Sequence, residues 1–292
     1  MNYKNKIVKY FFNIITLGLT ITSCQKMDRP ALGDYPKDDQ VLPPGDLRFY
    51  VPFDTTSDQF RFTVRDSISG NPAFFSSNPL LVIPGVRDSG VNGTDQNAIL
   101  YLNANDFAQA TSFTVAFWEK NSVPTGGSPQ FVFSLPSKDY WHQSALFWLI
   151  DHDGAGSTAD SAATSFVLQD NWFVTHDAEK LPGHILNGQW HHLAVTYDET
   201  TSKITYYVDG NKVNNVSDAS RTWLTNGSPH GPVTFTNTYN FVLGGWNKHA
   251  GLGNGAPTDA WIQSWQGGLD QFRLYNKALS DSEVQALYNS KL

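Results

Sequence analysis

The sequence is poor in four things, and each shortage removes a class of answer. One of its 292 residues is cysteine, Cys24, so an intrachain disulfide is impossible and the fold must rest on its packed core. Basic residues are few: 20 Lys and Arg against 27 Asp and Glu give a formal charge of −7. The first 23 residues hold three Lys and no acid, so the remainder stands near −10. Nucleic acid is excluded as a partner, because phosphate binding needs clustered positive charge. Adhesion of the folded part to an anionic membrane surface is disfavoured for the same reason. Glutamate is scarce: Glu119, Glu179, Glu199 and Glu283 face 23 Asp. Glu favours helices and Asp favours turns, so with 23 Gly and 15 Pro the composition reads as turn-rich and all-β. Long apolar runs are also missing. Tyr10–Ile21 has 12 residues, where a membrane-spanning helix needs about 20.

That short run nevertheless has a purpose. Lys4, Lys6 and Lys9 precede it, which is the charged-then-apolar order of a secretory signal. Ile21-Thr22-Ser23-Cys24 resembles the lipobox of bacterial lipoproteins. The resemblance implies a signal peptide over residues 1–23, lipidation of Cys24, and attachment to the membrane through acyl chains alone. Gln25-Lys26-Met27-Asp28 is similar to the surface-export tag of lipoproteins in Gram-negative glycan-foraging bacteria, with Met27 where an acid is expected. It implies an outer-membrane protein exposed on the cell surface. Residues 24–45, with Pro30, Pro36, Pro43 and Pro44 and no apolar periodicity, read as a flexible tether. Residues 46–292 read as one domain.

Within that domain, short alternating apolar segments recur between turn signals, as in a sandwich or barrel. Two hairpin turns are visible, at Glu199-Thr200-Thr201-Ser202 and at Asp209-Gly210. Four segments carry a family resemblance. They are Phe49-Tyr50-Val51-Pro52-Phe53-Asp54, the strand Ser112 to Lys120, Gly188-Gln189-Trp190-His191-His192 continuing to Asp209-Gly210, and Gly268 to Ser280. In this order the chain resembles the laminin-G-like domains of the concanavalin A-like lectin/glucanase superfamily. The resemblance implies an all-β, two-sheet jelly-roll sandwich. A short C-terminal helix is predicted independently of the family. Ser280-Asp281-Ser282-Glu283 is a capping box, and Leu279 and Val284 sit where a hydrophobic staple places them.

Signs of catalysis are few. Related glucanases use a Glu-x-Asp-x-x-Glu strand, and the four Glu here are too far apart to form one. Glu119, followed by Lys120, reads as a solvated strand end. There is no Gly-x-Ser-x-Gly elbow, Walker loop or His-Glu-x-x-His motif. His191 and His192 are adjacent on a strand and so point to opposite faces. Asp151-His152-Asp153-Gly154 lacks the later ligands of a calcium loop and reads as an ordinary turn. The resemblance implies one structural calcium ion, with Asp270 as ligand and Asp54 as a companion.

What remains is binding. Nine Trp is a high count. Trp118 and Trp190 lie in strongly patterned strands and read as core, whereas Trp141, Trp172, Trp246 and Trp261 lie in polar, turn-rich segments. Aromatic faces beside amides and acids suit a sugar. The expectation is a non-catalytic protein that captures a polysaccharide or oligosaccharide through these four Trp. It would serve an outer-membrane uptake system, beside other glycan-uptake proteins. Two alternatives stand: a glycoside hydrolase or lyase with an unrecognised carboxylate site, and a protein-binding adhesin.

Overall fold

A computed structural model describes residues 44–54, 64–75, 80–252 and 259–291. Cys24, the leader and the tether up to residue 43 lie outside the described residues, as does part of the glycine-rich loop, 253–258. The strands run, in chain order, β1 (Leu47–Val51), β2 (Phe74–Phe75), β3 (Leu81–Pro84), β4 (Ser89–Asn92), β5 (Ile99–Tyr101), β6 (Phe113–Lys120) and β7 (Gln130–Pro136). They continue with β8 (Ser144–Ile150), β9 (Thr164–Leu168), β10 (Asn171–Thr175), β11 (His191–Asp198), β12 (Lys203–Val208) and β13 (Asn211–Lys212). The last are β14 (Leu224–Thr225), β15 (Ser228–Pro229), β16 (Phe241–Leu243), β17 (Gln263–Ser264) and β18 (Gly268–Tyr275). Two α-helices occur among the described residues, α1 (Asp218–Arg221) and α2 (Asp281–Ser290).

Two sheets form the sandwich of the expected jelly-roll class. Sheet A has the order β13-β12-β11-β6-β18-β4-β3, with β1 also paired to β18. Sheet B has the order β10-β9-β8-β7-β16-β5-β2, with β17 added parallel to β7. The tight turn at Asp209-Gly210 forms as expected, both residues taking positive φ between β12 and β13. Between the sheets lies an aromatic core. Phe117 of sheet A meets Trp148 of sheet B edge to face at 5.7 Å and stacks on Phe272 at 5.6 Å.

Both sheets are also covered on their outer faces, and this decides where a ligand can reach. Over sheet A lies α2, whose Val284 and Leu287, with Leu279 just before its cap, pack on Ala116, Ala194 and Tyr207. Its capping box is formed: Ser280 Oγ accepts from Glu283 N at 3.3 Å, and Ser280 N donates to Glu283 Oε2 at 2.8 Å. Tyr288 stacks on Trp118 with centroids 5.4 Å apart. Trp118 is therefore buried on the helix-covered face, beside His192 at 5.3 Å. Trp190 differs from its core reading. It is half-buried, with its ring against the backbone of Gly90 and Gly268, where a Cβ on Gly268 would lie 2.8 Å from it. The two glycines make room for an indole at the sheet surface.

Candidate functional site

The outer face of sheet B is built by register. Phe147 pairs with Val167 and Val167 with Trp172, forming one cross-strand row. Leu149, Ser165 and Val174 form the next row, about 7 Å along the strands at about 3.4 Å per residue. A third row holds Asp151 and His176, just past the ends of β8 and β10. Trp172 is presented by a tight hairpin, because Gln169 and Asp170 both take positive φ between β9 and β10. The same turn positions a second tryptophan: Trp141 N donates to Asp170 Oδ1 at 2.8 Å.

Three of the four sequence-singled Trp come together here. Trp141 meets Trp172 at 5.1 Å and Trp261 at 5.9 Å, and it stacks over Phe147 at 6.0 Å. Trp172 and Trp261 remain 42% and 43% exposed, and Trp141 is half-buried. These rings, drawn from a turn, a hairpin strand and a distant loop, make a jointed aromatic surface. Trp246 does not belong to it, which corrects its reading as an exposed loop residue. It is 0% exposed, packed on Phe131 at 5.4 Å within a cluster that includes Phe147, Leu149, Val167 and Ile262. The loop that carries it is the lid of this outer layer, so its indole is spent on packing.

The polar end of the face is a chain of hydrogen bonds. Ser165 Oγ donates to Asp151 Oδ2 at 2.9 Å, and His176 Nε2 lies 2.9 Å from the same oxygen. The bond to Asp151 holds the His176 pKa above its ordinary value. Serine here bonds to the acid and not to the imidazole, so the arrangement lacks the base that would activate a nucleophile. His191 and His192 point to opposite sides as expected. His191 Nδ1 lies 2.9 Å from Asp209 Oδ2, while His192 is buried beneath α2.

Glu119 overturns its reading as a solvated strand end. It is 1% exposed, and neither carboxyl oxygen has a hydrogen-bond partner. Burial, and then the charge of Asp209, pushes its pKa well up, since both disfavour the charged form.

Asp270 lies in β18 of the other sheet, and Asp54 lies just past the end of β1. Antiparallel pairing of Val51 with Phe272 brings the end of β1 beside the start of β18. Asp270 is buried, and its Oδ2 accepts from Val86 N at 2.7 Å. A Cβ on Gly85 would fall 2.5 Å from that oxygen, so glycine leaves room for the carboxylate. Asp270 Oδ1 and Asp54 Oδ1 are both buried without a hydrogen-bond partner. Burial, with a contribution from the charge of Asp54, lifts the Asp270 pKa to about 7; burial also lifts that of Asp54. Two apposed acids with orphaned oxygens fit a hard cation, provided backbone carbonyls complete the shell. Among the described residues no group of three or more His, Cys, Asp or Glu side chains has metal-binding spacing.

Comparison with known proteins bears on the fold. A laminin-G family model, described as the concanavalin A-like lectin/glucanases superfamily, matches residues 92–285. A search of curated protein sequences gives no match. Among solved structures, domain 4 of AbnA, an extracellular arabinanase from Geobacillus stearothermophilus, in complex with arabinotriose, aligns with a TM-score of 0.52 at 16% identity. That alignment covers 83% of this chain and 98% of the domain. Botulinum neurotoxin type C, whose cell entry depends on interaction with two ganglioside molecules, aligns with a TM-score of 0.53 at 11% identity over 85% of this chain. The binding domain of botulinum neurotoxin DC, in complex with rat synaptotagmin II, gives 0.53 at 10% over 85%. The chain spans about half the length of the two toxin structures, 51% and 52%. At these identities the likeness shows a shared fold.

Proposed function

The chain belongs to the concanavalin A-like lectin/glucanases superfamily through a laminin-G-like domain, and on that premise we propose that it is a non-catalytic, lipid-anchored glycan-binding protein of the cell surface. The observation that carries this reading is the convergence of Trp141, Trp172 and Trp261 on the outer face of sheet B, two of them well exposed. Exposed indoles supply flat faces for the C–H patches of a sugar, and the Asp151–His176 end supplies partners for hydroxyls. Two proteins of the same fold, the arabinanase domain and the type C toxin, have glycan ligands in arabinotriose and gangliosides.

The absence of catalysis is part of the proposal. Two acids at the ends of this face, Asp151 and Asp170, are engaged in holding Ser165, His176 and the Trp141 backbone. They stand at opposite ends of β9, whose length is about 16 Å at about 3.3 Å per residue. Glycosidase carboxylates work at about 5–9.5 Å. Lipidation at Cys24 would tether the domain to the outer membrane, beside uptake proteins that receive the captured polysaccharide or oligosaccharide. Among the described residues no helix is long and apolar enough to cross a membrane. Asp54 and Asp270 would hold one structural calcium ion, bracing β1 and β18 in the sheet opposite the Trp surface. A glycan array on the full-length chain and on Trp172→Ala tests the reading: a hit lost in the variant supports it, and a chain that retains no glycan overturns it.

A further inference from the structure

A groove of about 610 Å³ opens at the end of the sandwich where β6 stops and β7, β17 and β18 begin. Its size lies within the roughly 300–1,000 Å³ of small-ligand sites. Unlike the Trp surface, its lining contains no aromatic ring and no carboxylate. Carboxamides dominate it, from Asn92, Asn121, Gln130, Gln263 and Gln266, and Lys120 is its one charged side chain.

These amides are fixed in place by one another. Gln130 Oε1 accepts from Asn121 Nδ2 and from Gln266 N, each at 3.2 Å. Gln266 Nε2 donates to Gln263 Oε1 at 2.9 Å, and Asn92 Nδ2 donates to Gly93 O at 2.9 Å. An amide held at one end presents its other end in a set direction, which lowers the ordering cost of binding. Gly267 makes the wall possible, since a Cβ there would lie 2.7 Å from Lys120 O and 2.8 Å from Asn121 Cγ. Lys120 is exposed and has no ion-pair partner among the described residues. Its sequence neighbour Glu119 is turned into the interior, so its carboxyl group does not line the groove.

A neutral sugar gains most from ring faces, and this groove has none. An anionic sugar would be repelled by most of a chain of formal charge −7, yet here meets one cation, the Nε2 donors of Gln130 and Gln263, whose oxygens are the held ends, and no acid. We propose that the groove binds a carboxylate-bearing sugar, a uronic-acid residue of a glycan chain. Lys120 forms the charge-assisted hydrogen bond to the carboxylate, and the amides engage its hydroxyls. The inference rests on the glycan-binding reading and deepens it, giving the protein a second, chemically distinct subsite.

Calorimetry on the full-length chain in detergent tests it, with trigalacturonate and its carboxyl-reduced trimer as probes. Trigalacturonate should bind more tightly than the reduced trimer. Lys120→Gln should weaken trigalacturonate binding by about tenfold or more, bring it close to that of the reduced trimer, and melt like the parent. Trp172→Ala should preserve the difference between the two trimers. Equal affinity for the trimers, no binding of trigalacturonate, or an unchanged Lys120→Gln variant overturns the inference; glycan binding that still depends on Trp172 would then leave the function standing. A chain that binds no glycan overturns both.

Discussion

Trp141 and Trp172 meet edge to face, with ring centroids 5.1 Å apart and planes at 69°, because one turn aspartate, Asp170, holds the first beside the second. This pair is the joint of the aromatic surface, to which the buried Trp246 does not belong. Trp172→Ala and Trp261→Ala should each weaken retention in polysaccharide gels while shifting the melting temperature little, since both rings stand at the surface. Trp246→Ala should cost about 3–5 kcal/mol as a large buried truncation. Affinity electrophoresis beside thermal melts separates the two outcomes. If the two exposed variants melt early and keep full retention, the surface is structural.

His192 gives the domain an acid-sensitive seam. Its ring is buried against Trp118 and Tyr288 with no hydrogen-bond partner at either nitrogen, and burial holds its pKa down to about 3. The unfolded chain takes up a proton near pH 6.5, so between about 6.5 and 3 it binds more protons than the folded one. Stability should therefore fall as pH drops through that window and be indifferent to this group above it. Urea unfolding at several pH values should show a shallower acid slope in His192→Leu; an identical slope would remove His192 as the cause.

The cap of α2 should be felt across sheet A. Ser280→Ala removes the acceptor for Glu283 N and should cost about 1 kcal/mol, measured by denaturant midpoint. A variant as stable as the parent would mean that packing on Ala116 and Tyr207 alone holds the helix.

Calcium should act on stability and leave the aromatic surface of sheet B alone. Chelator is expected to lower the melting temperature of the full chain, added calcium to restore it, and Asp270→Ala to be insensitive to both. Melting that ignores chelator and calcium in the parent would retire the metal.

Cys24→Ser should abolish fatty-acid labelling and release the protein from the membrane fraction. Continued labelling, or retention through a high-salt wash, would dismiss the lipoprotein reading.

Local signals were the legible ones. The helix could be read from Ser280 and Glu283, and the turn from Asp209-Gly210, because the interactions that form them span a few residues. Trp246 was misread although a clue was present: Ala145-Leu146-Phe147-Trp148-Leu149-Ile150 has no polar alternation, so both faces of β8 had to be covered. The covering residues had to come from elsewhere, and Trp246 and Ile262 are among them. Glu119 was misjudged because a strand end is usually wet, whereas this one lies between Leu269 and His191 of neighbouring strands. The amide groove had no linear signature. Asn92, Asn121, Gln130 and Gln266 meet only through the order of the strands.

That order has a consequence for how the protein comes into being. β18 lies between β6 on one side and β1 and β4 on the other, so the middle of sheet A is supplied almost last. Until residue 275 has emerged, β1, β4 and β6 each have an open edge, and pairs as remote as Leu47 with Tyr275 must wait. Such a chain cannot finish folding piece by piece during synthesis. A product cut short before Gly268 would leave β1, β4 and β6 each with a raw edge, so β18 is the checkpoint for sheet A.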